Sequence, residues 1–219
     1  MLESFSTGTY KIYFGSSDAM GSKTNLKNYL QKYRRNNMTQ YVKIPHERVG
    51  VIIGPKGELK KFIEDKTICQ LDIDSDSGKI DVTCEGDSLK EFRILETLKA
   101  IGRGFSPEKA LELLEDEMLM LEIIDLSDVA TTPKELQRIK GRIIGRNGRT
   151  RELAETLINV KISVYGKTVS ILGYPEQNTI IRTAIKMLLD GATHGVVYKF
   201  LEKKHQELLQ FQLDSIDLY

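Results

Sequence analysis

Ile52-Ile53-Gly54-Pro55-Lys56-Gly57 and Ile143-Ile144-Gly145-Arg146-Asn147-Gly148 are two copies of one pattern, 91 residues apart in a chain of 219. Each sets a Gly-x-x-Gly turn between two helix-like apolar runs. Glycine has no Cβ to block close approach of the backbone, and the first N–H groups of the following helix carry partial positive charge. The chemistry this suits is the holding of an anion, a phosphate above all. Around the second copy, Lys134, Arg138, Lys140, Arg142, Arg146, Arg149 and Arg151 face a single acid, Glu135, between positions 134 and 151. A charge run alone is usually a solvated face, but one that converges on a glycine turn at a helix start points to a polyanion. The first turn is different: Lys56 is its one cation, Glu58 stands where the second copy has Arg149, and Asp72, Asp74 and Asp76 follow.

The elements that position these turns repeat at the same offset. Phe62 falls on Leu153, Glu64 on Glu155, Leu71 on Ile162 and Ile73 on Val164. The first copy reads as a strand at 40–45, a helix ending at Ile53, and a helix at 58–66 with Leu59, Phe62 and Ile63 on one face. Strands at 69–73 and 80–84 follow, then a helix from Asp87 or Ser88 that carries Leu89, Phe92, Leu95, Leu98 and Ile101. A helix from Ser106 to Glu117 joins the copies. The second copy opens with a strand at 119–126, a loop at 127–133 and a helix from Lys134. After its turn come a helix at 150–157, strands at 160–164 and 168–172, a closing helix broken by Gly191, and a further helix from Val196 to about Gln210. A duplicated unit of this length implies two similar domains rather than a solenoid. The expected organisation is an N-terminal extension at 1–39, flexible by composition, a first domain at 40–117 and a second at 118–219 with a C-terminal helical extension.

Charge separates the copies. Residues 40–125 carry 12 basic and 19 acidic residues, whereas 126–219 carry 14 and 10. No apolar run reaches membrane-span length, and the polar stretch framed by Lys11 and Lys23 does not read as a signal peptide, so a cytoplasmic protein is expected. Cys69 and Cys84 lie on consecutive strands; a disulfide would fit there, but two small buried side chains are the expected state. A phosphate loop fails because Ile143 stands at its first glycine and Arg149 at its lysine. A calcium loop fails at Ser77 and Thr83. His46, His194 and His205 have no ligand spacing, so neither a metal, a cofactor nor a catalytic centre is expected.

Strand–helix–Gly-x-x-Gly–helix–strand–strand–helix is the order of a type I KH domain, whose signature is Ile-Ile-Gly-x-x-Gly. The chain resembles two such domains in tandem, an α+β fold with a β-α-α-β-β-α order, a three-stranded antiparallel sheet packed on helices in each, and extra C-terminal helices. Ile101-Gly102-Arg103-Gly104-Phe105-Ser106-Pro107, Lys140-Gly141-Arg142-Ile143-Ile144-Gly145 and Asp190-Gly191-Ala192-Thr193-His194-Gly195 narrow the match. They resemble the ribosomal RNA assembly proteins related to the eukaryotic partner-of-Nob-one (Dim-two) family, in its archaeal branch. In the eukaryotic relatives the first domain has generally lost the Gly-x-x-Gly that Gly54 and Gly57 keep here.

What the resemblance implies is a non-catalytic protein that clamps about four nucleotides of single-stranded RNA. Mapped onto the second copy, Gly145 and Gly148 admit the phosphate, while Arg142, Arg146, Arg149 and Arg151, with Asn147, surround it. Gly141 and Ile144 form the groove floor, and Lys161 and Ser163 its far wall. Gly54, Pro55, Lys56, Gly57 and Lys60 are a secondary candidate site. The implied target is small-subunit rRNA near its 3′ end during subunit assembly and maturation, with a maturation nuclease and a translation initiation factor subunit as partners. The alternative is a protein adapter in ribosome assembly or translation initiation, with its KH folds used for protein contacts, which the acidic first domain also suits.

Overall fold

Val42, Leu71, Ile80 and Val82 alternate with polar residues along three short segments, and a period of two pairs such segments as a sheet with one apolar face. The computed structural model describes residues 6–7, 10–11, 40–84 and 88–216. The chain divides into two units, residues 1–39 and 40–219. In the first, Ser6–Thr7 pairs antiparallel with Tyr10–Lys11; the expected flexible extension otherwise lies outside the described residues.

Within residues 40–219 the three segments are β1 (Gln40–Lys43), β2 (Cys69–Asp74) and β3 (Lys79–Cys84), antiparallel in the order β1-β3-β2. Helices α1 (His46–Ile53), α2 (Glu58–Thr67) and α3 (Ser88–Gly102) pack with this sheet around Val49, Ile52, Ile63, Ile94, Leu98 and Ile101. The second copy repeats the plan. Its strands are β4 (Met120–Asp125), β5 (Lys161–Tyr165) and β6 (Thr168–Gly173), ordered β4-β6-β5. Helices α5 (Pro133–Ile144), α6 (Arg149–Ile158) and α7 (Pro175–Leu189) follow the same plan, and α8 (His194–Ile216) is added. The α+β class, the two three-stranded antiparallel sheets and the extra C-terminal helices all agree with the sequence.

Four local expectations need correction. Cys69 and Cys84 are not free thiols: they are joined in a disulfide. The register puts them directly opposite each other with Cα atoms 4.5 Å apart, the close spacing of a non-hydrogen-bonded antiparallel pair. Leu89 and Phe92 do not face the core, being 56% and 48% exposed; α3 buries Glu91, Ile94, Leu95 and Leu98 instead, a stripe displaced around the helix. Phe62 is likewise exposed, its ring 5.7 Å from the Lys66 ammonium. The joining helix is short: α4 (Pro107–Leu111) gives way to one 3-10 turn at Glu112–Leu114.

The two copies share packing. Every residue of β6 is buried, although the sequence alternates as a one-faced strand should. Val169 and Ile171 pack with the second copy's helices, whereas Leu172, on the opposite face, joins the first copy's core together with the partly buried Leu119 and Leu121. The segment from Gly102 to Leu119 therefore links the copies as a packed layer.

Candidate nucleic-acid interface

The two turns have one backbone shape. Gly54 and Gly145 stand at φ 71°, ψ 175° and φ 76°, ψ 173°; Lys56 and Asn147 are left-handed at φ 53° and 54°, as are Gly57 and Gly148 at 79° and 80°. The first glycine is obligatory. A Cβ on Gly145 would lie 2.2 Å from Thr150 Oγ1, and one on Gly54 would lie 2.9 Å from Leu59 Cβ. Gly148 is open, with only Arg151 Nη2 at 3.9 Å from its would-be Cβ. Gly141, one turn before, has nothing within 4 Å of that position. Backbone at Gly141 and Gly148 is thus free to be approached, as a phosphate clamp requires.

Each helix that delivers a turn is anchored by an arginine. Arg48 on α1 donates from Nε to the Ile101 carbonyl at 2.9 Å and from Nη2 to that of Phe105 at 2.7 Å. Arg142 on α5 donates from Nε to the Leu188 carbonyl at 3.2 Å and from Nη2 to that of Ala192 at 2.6 Å, while the His194 ring bonds the Arg142 carbonyl at 2.9 Å. Both arginines bond carbonyls at and just beyond the end of the third helix of their copy, on either side of a glycine at φ 95°, Gly104 or Gly191. The motifs at 101–107 and 190–195 therefore perform the same structural task, and Arg142 spends its guanidinium on it.

The start of α5 is fixed by a capping box. The Thr132 hydroxyl accepts from the Glu135 N–H at 3.2 Å, and the Glu135 carboxylate accepts from the Thr132 N–H at 3.1 Å. A further bond from the Thr131 hydroxyl is the main cause holding the Glu135 carboxyl below its ordinary range. The one acid in the basic run is thereby committed to the helix terminus and turned away from a role against the cations. Behind the turn, Thr150 is buried and its hydroxyl bonds the Tyr198 hydroxyl on α8 at 2.8 Å, so the C-terminal helix braces the first residues of α6.

At the second turn Arg146, Asn147, Arg149 and Arg151 are all exposed. Among the described residues neither Arg146 nor Arg149 has an ion-pair partner, and Arg151 lies 3.7 Å from Glu155. Glu155 also accepts from the Ile162 N–H at 2.7 Å, as Glu64 does from Leu71 at 2.9 Å, which explains why this glutamate recurs in both copies. Ile144 is half-buried next to exposed Gly141, in keeping with a groove floor. Ser163 lies on β5 across from α6, its hydroxyl donating to the Arg103 carbonyl at 2.8 Å, whereas the Lys161 ammonium is paired with Glu112. Lys161 faces a separate cavity of about 330 Å³ with Glu112, Glu115 and Asp116. At the first turn Pro55 and Lys56 are exposed, and Lys60 lies 3.9 Å from Glu64.

Comparison with known proteins places this geometry. A family model described as the eukaryotic-type KH domain (KH-domain type I) matches residues 120–206, and a KH domain model matches 39–94. A KH domain-containing protein of Methanocaldococcus jannaschii is 44% identical over 174 residues, 77% of this chain and 75% of that protein. The pre-rRNA-processing protein PNO1 of Chaetomium thermophilum is 35% identical over 106 residues, 48% of this chain but only 41% of that protein. A chain of the a/eIF2alpha–aDim2p–rRNA complex of Pyrococcus horikoshii is 43% identical with a TM-score of 0.73, over 80% of this chain and 99% of that one. The chain belongs to the tandem-KH Dim2/PNO1 family of rRNA assembly proteins.

For a member of this family, several residues around the second KH turn escaped sequence reasoning. Thr150, Tyr198 and the clamp partners Leu188 and Ala192 act through burial and backbone atoms, which leave no charge pattern. The pairing of Arg48 with Arg142 had one available signal: each sits on the helix before a turn and each copy has a glycine just after its third helix. The contact of Ser163 with Arg103 spans 60 residues and had none.

Proposed function

We propose that this chain is a non-catalytic, single-stranded RNA-binding protein of small ribosomal subunit assembly that acts in maturation of the small-subunit rRNA 3′ end. The RNA is held mainly by the second KH domain. One observation carries this: two turns of the same backbone shape differ in what surrounds them, Arg146 and Arg149, exposed and without an ion-pair partner among the described residues, at one, Lys56 followed by Glu58 at the other. Phosphate contacts supply most of the affinity of such modules, so the cationic turn dominates. The relative from Pyrococcus horikoshii occurs in a complex with a/eIF2alpha and rRNA. An initiation-factor subunit is accordingly a partner, a maturation nuclease is the second, and the acidic first domain is the surface suited to them. No helix among the described residues is long and apolar enough to cross a membrane, and the protein works in the cytoplasm.

Ultraviolet crosslinking of the protein to cellular RNA, followed by mapping of the contacts, tests the assignment. Crosslinks should concentrate near the 3′ end of small-subunit rRNA and fall on peptides that contain residues 141–151. Crosslinks spread evenly over unrelated RNAs would contradict it.

A further inference from the structure

A cavity of about 360 Å³ opens beside β5, which is an edge strand of the second sheet. One wall is Arg151 and Glu155 of α6, the floor is Ile162 to Tyr165 of β5, and the opposite wall is Gly104, Phe105, Ser106 and Lys109. That last wall comes from the segment that closes the first domain and joins it to the second, not from the second domain at all. The segment is fitted closely. Ser163 bonds the Arg103 carbonyl, and a Cβ on Gly104 would lie 2.7 Å from Ser163 Oγ and 2.9 Å from Tyr165 Cβ. The Tyr165 hydroxyl is held by Glu47, and the Arg48 guanidinium lies 5.9 Å from the centre of its ring. Helix α1 and the Arg103–Gly104 turn of the first copy thus pin this wall against the second copy's strand.

One side chain is shared by the cavity and the turn. Arg151 reaches to within 3.9 Å of the Cβ position of Gly148 and also lines the cavity, so a chain leaving the turn along α6 enters the space between Arg151 and Lys109. Lys109 is exposed, and among the described residues its ammonium has no ion-pair partner. The acids nearby are committed: Glu155 to Ile162 and Arg151, and Glu108 to its own backbone N–H and the Ser106 hydroxyl, which hold its carboxyl below the ordinary range.

We propose that the linker completes the groove in cis: Lys109 and Arg151 form a subsite for the phosphate of one nucleotide beyond those clamped by the Gly-x-x-Gly turn. The inference rests on the second domain's turn being the principal RNA contact. Its consequence is that the two KH folds read one continuous RNA segment without the first turn touching it, because the first domain supplies its linker rather than its own groove.

The test titrates the full chain with two single-stranded RNA probes, a tetranucleotide and a dodecanucleotide from the 3′ end of small-subunit rRNA, at two salt concentrations. Lys109→Ala should weaken the dodecanucleotide about fivefold and make its salt dependence shallower by about 0.7, leaving the tetranucleotide unchanged. Lys203→Glu, a comparable surface charge on α8, should change neither. An unchanged dodecanucleotide affinity in Lys109→Ala would overturn the subsite, and so would equal weakening of both probes, which would mark a diffuse charge effect. The double variant R146D/N147D separates the subsite from its premise. If it abolishes binding while Lys109→Ala does nothing, the subsite alone falls; if it binds both probes like the parent, the premise falls and takes the subsite with it.

Discussion

Replacing Arg146 and Asn147 together by aspartate is expected to raise the Kd for single-stranded RNA by about a hundredfold or more while leaving the melting temperature unchanged. Both side chains are exposed, and among the described residues neither has a partner to lose. Substitutions at such positions usually stay within about 0.5 kcal/mol of the parent. Asn147 sits at φ 54°, a left-handed conformation that aspartate also tolerates, and an acid just before the N-terminus of α6 favours the helix dipole. The fold therefore survives. Binding does not, because two new carboxylates face the phosphate where a guanidinium stood, and each lost phosphate contact also flattens the salt dependence by about 0.7. Anisotropy with a labelled dodecanucleotide, paired with a thermal melt, reads both quantities.

Gly145→Ala acts through the fold instead. The glycine combines φ 76° with ψ 173°, a region essentially reserved for glycine, and its Cβ would fall 2.2 Å from Thr150 Oγ1 and 2.8 Å from the Thr150 nitrogen. Thr150 cannot yield easily, since it is buried and its hydroxyl is tied to Tyr198. Backbone strain alone costs about 1–3 kcal/mol at such a site, and the displaced start of α6 adds to it. Urea unfolding should show a loss of about 3 kcal/mol, accompanied by loss of RNA binding. Gly148→Ala provides the contrast. Its left-handed φ of 80° costs only about 1–2 kcal/mol, and nothing lies nearer than Arg151 Nη2 at 3.9 Å.

The sequence carried the fold because its signals were local. Two glycines bracketing a turn, a helical apolar period on each side and alternating strands afterwards leave little freedom in a β-α-α-β-β-α unit. The basic run was legible for the same reason: seven cations fall within 18 residues that include one turn. What the sequence hid depends on residues far apart in the chain. The disulfide follows from a register that sets Cys69 opposite Cys84, and register is a property of the pairing, not of either strand. Leu172 reads as a residue of its own sheet's polar side until the first copy covers that face. Arg142 reads as one more RNA-facing cation until its guanidinium is found on the carbonyls of Leu188 and Ala192. A charge count cannot tell a free arginine from one that caps a helix.

Shared packing through Leu172 also decides how the central claim should be tested. Cutting the chain between the KH domains would expose Leu119, Leu121 and Leu172 together, so separated halves would confound folding with binding. Matched variants of the full chain avoid this. Pro55 and Lys56 occupy the positions in the first turn that Arg146 and Asn147 occupy in the second, in the same backbone shape. P55D/K56D and R146D/N147D, measured side by side against one single-stranded dodecanucleotide at physiological salt, should behave oppositely. The first is predicted to keep the parent's affinity within about threefold and the second to lose nearly all of it. Equal losses in the two variants, or a greater loss in the first, would contradict the assignment of the RNA to the second domain.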